Sequence, residues 1–294
     1  MTSSTAGSPV GSPGTSRVVL LTGTSTGIGA ATALACAAAG WTTVATMRDT
    51  SRSQALRTAA EKAGVEIDVR ALDVTDPDAV LSCVDAVVAD HGRLDAVVNN
   101  AGVGHLGTIE LETVDDIRAN LEVNFFGVVH VSRAAMPHLR ESRGRLLTVS
   151  SVGGVVGQPF NEAYCAAKFA VEGFMQSLAP VARTVGVQVG VVEPGAVRTE
   201  FVGNIGVDPA AMLAAAGPYE PALRSYLERT TAQFDSSAAQ TPTDVADVVV
   251  ATLGADQMPF RTQTSPAASA FVGLSLGDLD GEAVQAITRA WVGA

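Results

Sequence analysis

A tyrosine and a lysine that stand four residues apart, Tyr164 and Lys168, form the pair with the clearest chemical potential in this sequence. Residues i and i+4 of a helix share one face. A nearby ammonium favours the ionised form of a phenol, which otherwise has a pKa of about 10. Such a phenol could exchange a proton with an alcohol or a carbonyl. Because Tyr-x-x-x-Lys also occurs on ordinary surface helices, the interpretation depends on what else the chain contains.

A glycine-rich turn far upstream supplies that context. It follows the apolar run Val18–Leu21, which is typical of a buried parallel strand. Its spacing is G-x-x-x-G-x-G rather than the common G-x-G-x-x-G, but either pattern lets a pyrophosphate approach the backbone and the amino end of the next helix. A purely structural turn would rarely need three glycines. The candidate cofactor residues in this turn are Gly23, Ser25, Thr26, Gly27, Ile28 and Gly29. Together with Tyr164 and Lys168, the turn predicts hydride transfer involving a nicotinamide dinucleotide.

The residues after the second predicted strand bear on which dinucleotide binds. NAD enzymes usually place an acid about 20 residues beyond the glycines, on the ribose 2′-hydroxyl. Met47 occupies that position here, and Arg48 could clamp a 2′-phosphate, which favours NADP(H) over NAD(H). Asp49 is the alternative, as a ribose ligand displaced by two residues. After the third strand, Asp73 and Val74 could hold the adenine amino group, although Asp73 could equally cap a helix.

Composition and charge limit the class of protein. A chain of 294 residues with 47% hydrophobic content suits one large α/β domain. A net charge of −11 argues against a nucleic-acid partner. The three cysteines match no zinc pattern, so no metal site is expected, and reduced, buried thiols in a cytoplasmic protein explain them best. No apolar run reaches the ~20 residues of a membrane span. The segment Met1–Ser16, rich in Ser, Thr, Gly and Pro, is expected to be a disordered tail.

Strand-like and helix-like segments alternate along the chain, which predicts an α/β fold with a doubly wound parallel sheet of about seven strands and helices on both faces. The predicted strands are Val18–Leu21, Thr42–Met47, Ile67–Leu72, Ala96–Val98, Arg145–Val149, Val187–Val192 and Phe260–Gln263. Long helices are expected over Val114–Ser142 and Glu162–Val185, the second bent or interrupted at Pro180. Residues 17–294 are expected to form a single domain. Within it, Thr199–Gln240 lacks a convincing strand and is expected to be a small helical lid at the carboxyl edge of the sheet.

Taken together, the motifs resemble those of the short-chain dehydrogenases/reductases, over nearly the whole chain from Val18. The matching pieces are Thr22–Gly29, Asn99–Gly102, Asn124, Ser151, Tyr164–Lys168 and Pro194–Gly195. The segments Ser150–Gly154 and Pro159–Ala170 are most similar to the retinol dehydrogenases and type 1 17β-hydroxysteroid dehydrogenase within that family. The resemblance implies a Rossmann-like fold and an oxidoreductase.

The resemblance also implies a role for each matching residue. Tyr164 would be the general acid/base, Lys168 would lower the Tyr164 pKa and hold the nicotinamide ribose, and Ser151 would bind the substrate oxygen. Asn124 would position a water beside Lys168, although it could also bond backbone inside its helix. The further cofactor-binding residues would be Asn100, Ala101, Gly102, Pro194, Gly195, Val197 and Thr199, and the Asn-Ala-Gly turn could equally be structural.

The substrate pocket is expected around the residues between the catalytic serine and tyrosine, which are Val152, Gly153, Gln158, Pro159 and Phe160. An apolar pocket of this kind favours a bulky ketone or secondary alcohol that is steroid-, retinoid- or polyketide-like. Two alternatives remain open: an NAD(H)-dependent alcohol dehydrogenase, and a non-catalytic dinucleotide sensor. The resemblance further implies a homodimer or homotetramer formed through the two long helices.

Overall fold

The computed structural model describes residues 16–199, 208–235 and 239–294. Residues 1–15 of the predicted tail, and residues 200–207 and 236–238 of the predicted lid, lie outside the described residues. Seven parallel strands form one sheet in the order β3-β2-β1-β4-β5-β6-β7 within the described part of the chain. The strands are β1 Val18–Thr22, β2 Thr42–Met47, β3 Asp68–Ala71, β4 Ala96–Asn99, β5 Arg145–Val149, β6 Gln188–Glu193 and β7 Arg261–Gln263. The predicted α/β doubly wound sheet is confirmed.

Helices connect the strands and cover both faces of the sheet. They are α1 Gly27–Ala38, α2 Gln54–Ala63, α3 Pro77–His91, α4 Val114–Leu121, α5 Gly127–Ser142, α6 Glu162–Arg183, α7 Pro209–Ala215, α8 Glu220–Asp235, α9 Pro242–Gly254, α10 Pro266–Gly277 and α11 Glu282–Trp291. Side chains of α1, α2 and α9 pack on one face, and those of α3, α5 and α6 pack on the other. The sheet is therefore buried on both sides, as a parallel sheet requires.

The alternation along β1 shows how the sequence builds these two layers. Val18 and Leu20 belong to the core on the α3/α5/α6 side, whereas Val19 and Leu21 belong to the core on the α1/α9 side. All four side chains are at most 1% exposed. Burying a side chain of this size contributes roughly 1.5–3 kcal/mol, so a continuous apolar strand stabilises both layers at once.

The order of the strands reverses at β1, and this determines where a ligand can bind. β1 pairs with β2 on one side and with β4 on the other. In doubly wound sheets the crevice at the carboxyl ends of such strands is the ligand site. The turn after β1 carries the glycines, and the turn after β4 carries Asn100–Gly102, so both predicted cofactor segments border this crevice.

Three helical segments differ from the sequence prediction. The stretch over 114–142 is helical throughout, but Glu122–Phe126 forms a π-helical turn between α4 and α5, a feature that a 3.6-residue period cannot reveal. Helix α6 is not interrupted at Pro180 but continues to Arg183, because a proline lacks only its own N–H and the hydrogen bonds of the residues after it can still form. Helix α10 was not predicted. Its Ser265-Pro266 start, with the serine side chain accepting from Ala268, was the available signal.

The described part of the predicted lid is helical. Helices α7 and α8 pack with α11 around a separate apolar cluster that includes Ala216, Leu223, Tyr226 and Trp291. Phe160, from the loop before α6, inserts its ring into the same cluster, 5.6 Å from the Tyr226 ring. The lid helices are therefore joined to the segment that precedes Tyr164. No helix in the described ranges combines the length and the apolar character of a membrane span.

Candidate active site

The glycine turn and the turn after β4 pack against each other so closely that neither has room for a larger residue. Gly23 has a φ of +70°, and a methyl group on it would lie 2.6 Å from Ala101 Cα. A methyl group on Gly29 would overlap the Gly23 carbonyl oxygen and the Asn100 amide. These glycines let α1, β1 and the turn after β4 pack closely together.

Hydrogen bonds from Thr22 and Asn100 fix this arrangement. The Thr22 hydroxyl accepts from the backbone N–H groups of Asn100 and Ala101, each at 3.0 Å. The Asn100 amide donates to the Thr22 and Gly23 carbonyl oxygens at 2.9 and 3.0 Å. Asn100 thus joins the end of β1 to the turn after β4. The Asn-Ala-Gly turn therefore has a structural role, as the alternative interpretation proposed. Sequence reasoning did not assign a role to Thr22.

The amino end of α1 has the properties of an anion site. Thr26 is its N-cap residue, but its side chain makes no capping hydrogen bond within the described structure, and the first turn contains no acidic residue. The N–H groups of a first helical turn have no intrahelical partners and carry partial positive charge. Ser25, Thr26, Gly27 and Ile28 are all half-buried at this end. A dinucleotide pyrophosphate would fit this cradle, with the N–H groups as donors.

The residues at the end of β2 and just after it differ in burial and in hydrogen bonding. Met47 is buried at 3% exposure, whereas Arg48 and Asp49 are exposed. The Asp49 carboxylate accepts from Ser51 N at 2.9 Å and caps the short 3-10 helix Thr50–Ser53. The side-chain and backbone hydrogen bonds of Ser51 lower the pKa of Asp49.

Asp73 and Val74 lie across from these residues, after β3. Burial raises the pKa of Asp73, but hydrogen bonds from Thr75 and the charge of Arg48 outweigh burial and lower it. The charge of Arg48, after β2, thus acts on Asp73, after β3. The helix-cap alternative for Asp73 is wrong: the cap of α3 is Asp76, which accepts from Asp78 N and Ala79 N, because it directly precedes the first helical residue. Val74 is buried and packs against Gly127 at the start of α5.

The predicted catalytic side chains converge between β5 and α6. Ser151 caps a 3-10 turn, where its Oγ accepts from Gly153 N at 3.0 Å, and its side chain also hydrogen-bonds Tyr164. A methyl group on Gly153 would lie 3.4 Å from both Ser151 Oγ and Tyr164 Cε1, and 3.3 Å from Gln158 Nε2. A substrate oxygen that approaches over Gly153 could therefore meet the serine hydroxyl and the phenol together.

Lys168 lies one helical turn beyond Tyr164 and is 5% exposed. Its Nζ donates to the Val149 carbonyl oxygen at 3.0 Å and lies 5.7 Å from the centre of the Tyr164 ring. Burial lowers the pKa of Lys168 to about 8, although the charge of Glu172 opposes this change.

The predicted lowering of the Tyr164 pKa by Lys168 is not what the structure gives. Burial raises the pKa of Tyr164 to about 12, and the hydrogen bond with Ser151 acts in the opposite direction. The physical reason is that the phenol sits in a poorly solvated position, while the ammonium points to the end of β5. Burial thus favours the neutral phenol, which is the form that can donate a proton.

Asn124 lies in the π-helical turn and is completely buried. Its Oδ1 accepts from Val103 N at 3.2 Å, and its Nδ2 donates to the Val103 carbonyl oxygen at 3.0 Å. The same Nδ2 contacts the side chain and backbone of Asn120. A methyl group on Gly102 would lie 2.8 Å from Asn124 Oδ1 and 3.8 Å from Lys168 Nζ. The backbone-bonding role of Asn124 is thus present, and its position beside Lys168 fits the second, water-positioning role.

The loop after β6 closes the other side of the crevice. The Pro194 carbonyl oxygen accepts from Val152 N at 3.0 Å, which joins this loop to the Ser151 turn. Val197 forms an isolated bridge with Gln240, and Thr199 Cγ2 would lie 3.4 Å from a methyl group on Gly27. Pro194, Gly195, Val197 and Thr199 therefore run from the catalytic turn to the amino end of α1.

The predicted substrate residues do not all line one cavity. A cleft of about 450 Å³ is lined by Gln158 and Pro159 together with α6 and α11 residues, but not by Ser151 or Tyr164. Val152 packs on α10, and Phe160 is 5% exposed within the lid cluster. Phe160 also has a φ of +57°, a conformation that costs a non-glycine residue about 1–3 kcal/mol. This pair of features indicates that Phe160 anchors the lid, while Gly153 and Gln158 face the reacting groups.

Comparison with known proteins agrees with this geometry. A family model described as short chain dehydrogenase matches residues 17–210. Retinol dehydrogenase 8 of Bos taurus is 35% identical over 280 residues, which cover 90% of this chain and 86% of the relative. The 17β-hydroxysteroid dehydrogenase type 1 of Homo sapiens is 35% identical, over 84% of this chain and 77% of the relative.

Solved structures show the same fold. A short-chain dehydrogenase/reductase of Burkholderia phymatum in complex with NAD has a TM-score of 0.76 at 26% identity, covering 91% of this chain and 95% of the other. A metagenomic short-chain oxidoreductase in complex with NADP has a TM-score of 0.65 at 28% identity, covering 84% and 95%. The two complexes differ in their dinucleotide, so the likeness leaves the choice of cofactor to this chain's own residues.

Proposed function

The chain belongs to the short-chain dehydrogenase family and is an oxidoreductase of alcohols and carbonyl compounds, and from this premise we propose that it interconverts bulky apolar ketones and secondary alcohols with NADP(H). The observation that carries the proposal is the hydrogen bond between Ser151 and the half-buried Tyr164. A neutral phenol in this position can donate a proton to a carbonyl oxygen as hydride arrives, and the phenolate can take the proton back when an alcohol is oxidised.

In this proposal each side chain has a task that follows from its position. The nicotinamide ring, when bound, supplies the hydride. Ser151 Oγ donates a hydrogen bond to the carbonyl oxygen, where negative charge develops. Tyr164 donates its proton to the same oxygen as it becomes an alcohol. Lys168, as an ammonium, stabilises the phenolate that remains, and Asn124 holds the Gly102–Val103 backbone next to Lys168.

The preference for NADP(H) rests on the two residues after Met47. Asp49 is engaged as the cap of a 3-10 helix, which weakens its candidacy as the ribose ligand. Arg48 is exposed at the rim of the crevice, next to Asp73. A guanidinium can bind a phosphate with two parallel hydrogen bonds, so Arg48 fits the 2′-phosphate of NADP(H) and would gain little from the 2′-hydroxyl of NAD(H).

Replacing Arg48 with Gln tests this preference. Loss of a charged hydrogen bond costs roughly 1.5–3 kcal/mol, so the affinity for NADPH is expected to fall about 10- to 100-fold while the affinity for NADH stays unchanged. Met47→Asp should act in the same direction by repelling the 2′-phosphate. Fluorescence titration with both reduced dinucleotides at equal ionic strength measures the ratio.

Arg52→Gln is the matched control, because Arg52 is another exposed arginine in the same short segment. It should leave both affinities as they are. If the Arg48→Gln protein and the unaltered protein have the same ratio of NADPH affinity to NADH affinity, the proposal is contradicted. That result would favour the alternative, an NAD(H)-dependent alcohol dehydrogenase.

The proposed substrate class rests on the named relatives and on the apolar character of the lid cluster. Retinol dehydrogenase 8 and the 17β-hydroxysteroid dehydrogenases are named for a retinoid and for steroids. Met212 and Leu213 belong to the same lid cluster as Phe160. We propose a steroid-, retinoid- or polyketide-like ketone, to be tested by comparing kcat/KM across one ketone of each type.

Assembly and location are also proposals. Phe126, Phe169 and Val181 expose 43–64% of their surface on or next to α5 and α6, which supports a homodimer or homotetramer through these helices. Sedimentation at several protein concentrations would measure the mass of the assembly. The three cysteines are unpaired and buried, which supports a cytoplasmic location.

A further inference from the structure

A buried ionic cluster lies behind Lys168 and has no part in the mechanism above. Glu172, one helical turn after Lys168, is 4% exposed, and Glu193, at the end of β6, is completely buried. Arg261 on β7 contacts both: its Nε lies 3.2 Å from Glu172 Oε2 and 3.2 Å from Glu193 Oε1. Gln263 Nε2 donates to Glu193 Oε2 at 2.6 Å. Two buried carboxylates therefore face one guanidinium nitrogen.

This arrangement favours one shared proton. Two carboxylates that contact the same guanidinium nitrogen oppose each other's ionisation, and burial makes an uncompensated charge costly. Glu172 Oε1 and Ser150 Oγ both lack a hydrogen-bond partner of good geometry within the described residues, so Glu172 Oε1 has room for a proton. Burial raises the pKa of Glu172 to about 7, a rise that the Ser150 hydroxyl and Arg261 oppose and the charge of Glu193 increases.

The cluster touches the segment that carries the catalytic serine. Lys168 Nζ is bonded to the Val149 carbonyl oxygen, and the next residue, Ser150, has its hydroxyl beside Glu172. A methyl group on Gly154 would lie 2.7 Å from Ser150 Oγ, 2.9 Å from Glu172 Cγ and 3.1 Å from the Lys168 carbonyl oxygen. Lys168 and Glu172 thus contact the two ends of the turn that contains Ser151.

The cluster also acts on Lys168 through its charge. Positions i and i+4 on one helix bring Glu172 and Lys168 within reach of each other, and both side chains are buried. The charge of Glu172 raises the pKa of Lys168, whereas burial lowers it. The groups that face Glu172 are Lys168 from α6, Glu193 from β6, Arg261 from β7 and Ser150 from the turn after β5.

We propose that Glu172 is a positioning residue: it shares one proton with Glu193 across Arg261, keeps Lys168 in its ammonium form, and holds the Ser151 turn in place. The catalytic consequence rests on the proposed function, but the shared proton does not. Through Glu172 and Glu193, the pH of the solution would then affect the charge of Lys168, which lies beside Tyr164.

Infrared titration of the full chain tests the shared proton directly. A protonated buried carboxyl has its own C=O stretching band, which is expected to titrate near pH 7 in the unaltered protein, in line with the pKa of about 7 for Glu172. The band should be absent in Glu172→Gln. In Glu193→Gln the band should shift to lower pH, because Glu172 loses the neighbouring like charge.

The pH dependence of NADPH affinity tests the action on Lys168. NADPH affinity is expected to fall at alkaline pH as Lys168 loses its proton, and the pH of this fall is called the alkaline limit of binding. In Glu172→Gln this limit is expected to move to lower pH by about one unit, because Lys168 loses the anion that raises its pKa. In Glu193→Gln that limit should remain in place. Glu61→Gln, on the exposed surface of α2, is the matched control and should change neither the infrared band nor the binding limit.

The two Glu→Gln variants keep the shape of the side chain. Because they are expected to differ in the infrared band and in the alkaline limit of binding, an effect of charge can be distinguished from a loss of structure. A carboxyl band that persists in Glu172→Gln, or an alkaline limit that does not move, would overturn the proposal. A band that behaves as expected in a protein that reduces no ketone would support the shared proton and contradict the proposed function instead.

Discussion

Replacing Tyr164 with Phe is expected to lower kcat for ketone reduction by about 10²- to 10⁴-fold, while the affinity for the reduced dinucleotide stays unchanged. The phenol is the group placed to donate the proton, with Ser151 hydrogen-bonded to it and Lys168 at 5.7 Å from its ring. Phenylalanine keeps the ring and its packing but has no proton to give. Steady-state kinetics and fluorescence titration on the same preparation separate the two quantities.

Tyr219→Phe is the control for loss of a phenol, because Tyr219 lies in the lid region rather than beside Ser151. It is expected to leave kcat unaltered. If Tyr164→Phe keeps its turnover, another group must donate the proton. A variant that loses turnover and cofactor affinity together would indicate a damaged fold. A non-catalytic dinucleotide sensor is the remaining alternative, and it predicts no measurable turnover before or after the change.

Replacing Gly23 with Ala is expected to destabilise the protein and to weaken dinucleotide binding at least about tenfold, equivalent to ~1.4 kcal/mol. The residue has a φ of +70°, and its new methyl group would lie 2.6 Å from Ala101 Cα, a backbone atom that cannot move alone. The left-handed conformation costs about 1–2 kcal/mol, and the forced displacement of the Asn100–Ala101 turn adds roughly 1–3 kcal/mol. Urea unfolding measures the first effect, and fluorescence titration measures the second.

Gly40→Ala separates these two causes. Gly40 also has a left-handed φ, of +84°, but a methyl group there meets no atom of the described residues within 4 Å. It should therefore show only the conformational cost of about 1–2 kcal/mol and no loss of cofactor affinity. Equal losses of stability in both variants would mean that the contact with Ala101 relaxes easily, and that the close approach of the two turns is not what shapes the site.

Local patterns in the chain were enough to predict the sheet and the placement of the main reactive groups. Continuous apolar runs such as Val18–Leu21 predicted buried parallel strands, because a strand covered on both faces has no polar side. The glycine turn, the Asn-Ala-Gly turn and the Tyr-x-x-x-Lys pair each carry their information within a few residues. Their chemistry depends on residue type and short spacing, which a sequence displays directly.

Other features depend on contacts between distant segments, and only the tertiary structure decided them. The π-helical turn contains Asn124, whose side chain bonds the distant Val103 backbone, and the anchoring of Phe160 follows from its packing against Tyr226. The raised pKa of Tyr164 comes from burial rather than from the lysine four residues away. The Glu172–Glu193–Arg261 cluster joins a helix and two strands.

The sequence by itself therefore determined the family and the order of the elements, and it predicted the proton-transfer residues, because all of these depend on local periodicity and motif spacing. The tertiary structure alone decided how strongly each of these groups is desolvated and which charges surround it. Desolvation and charge coupling act through space between segments far apart in the chain, so the proton affinities of Tyr164, Lys168 and Glu172 appear only once the fold has brought them together.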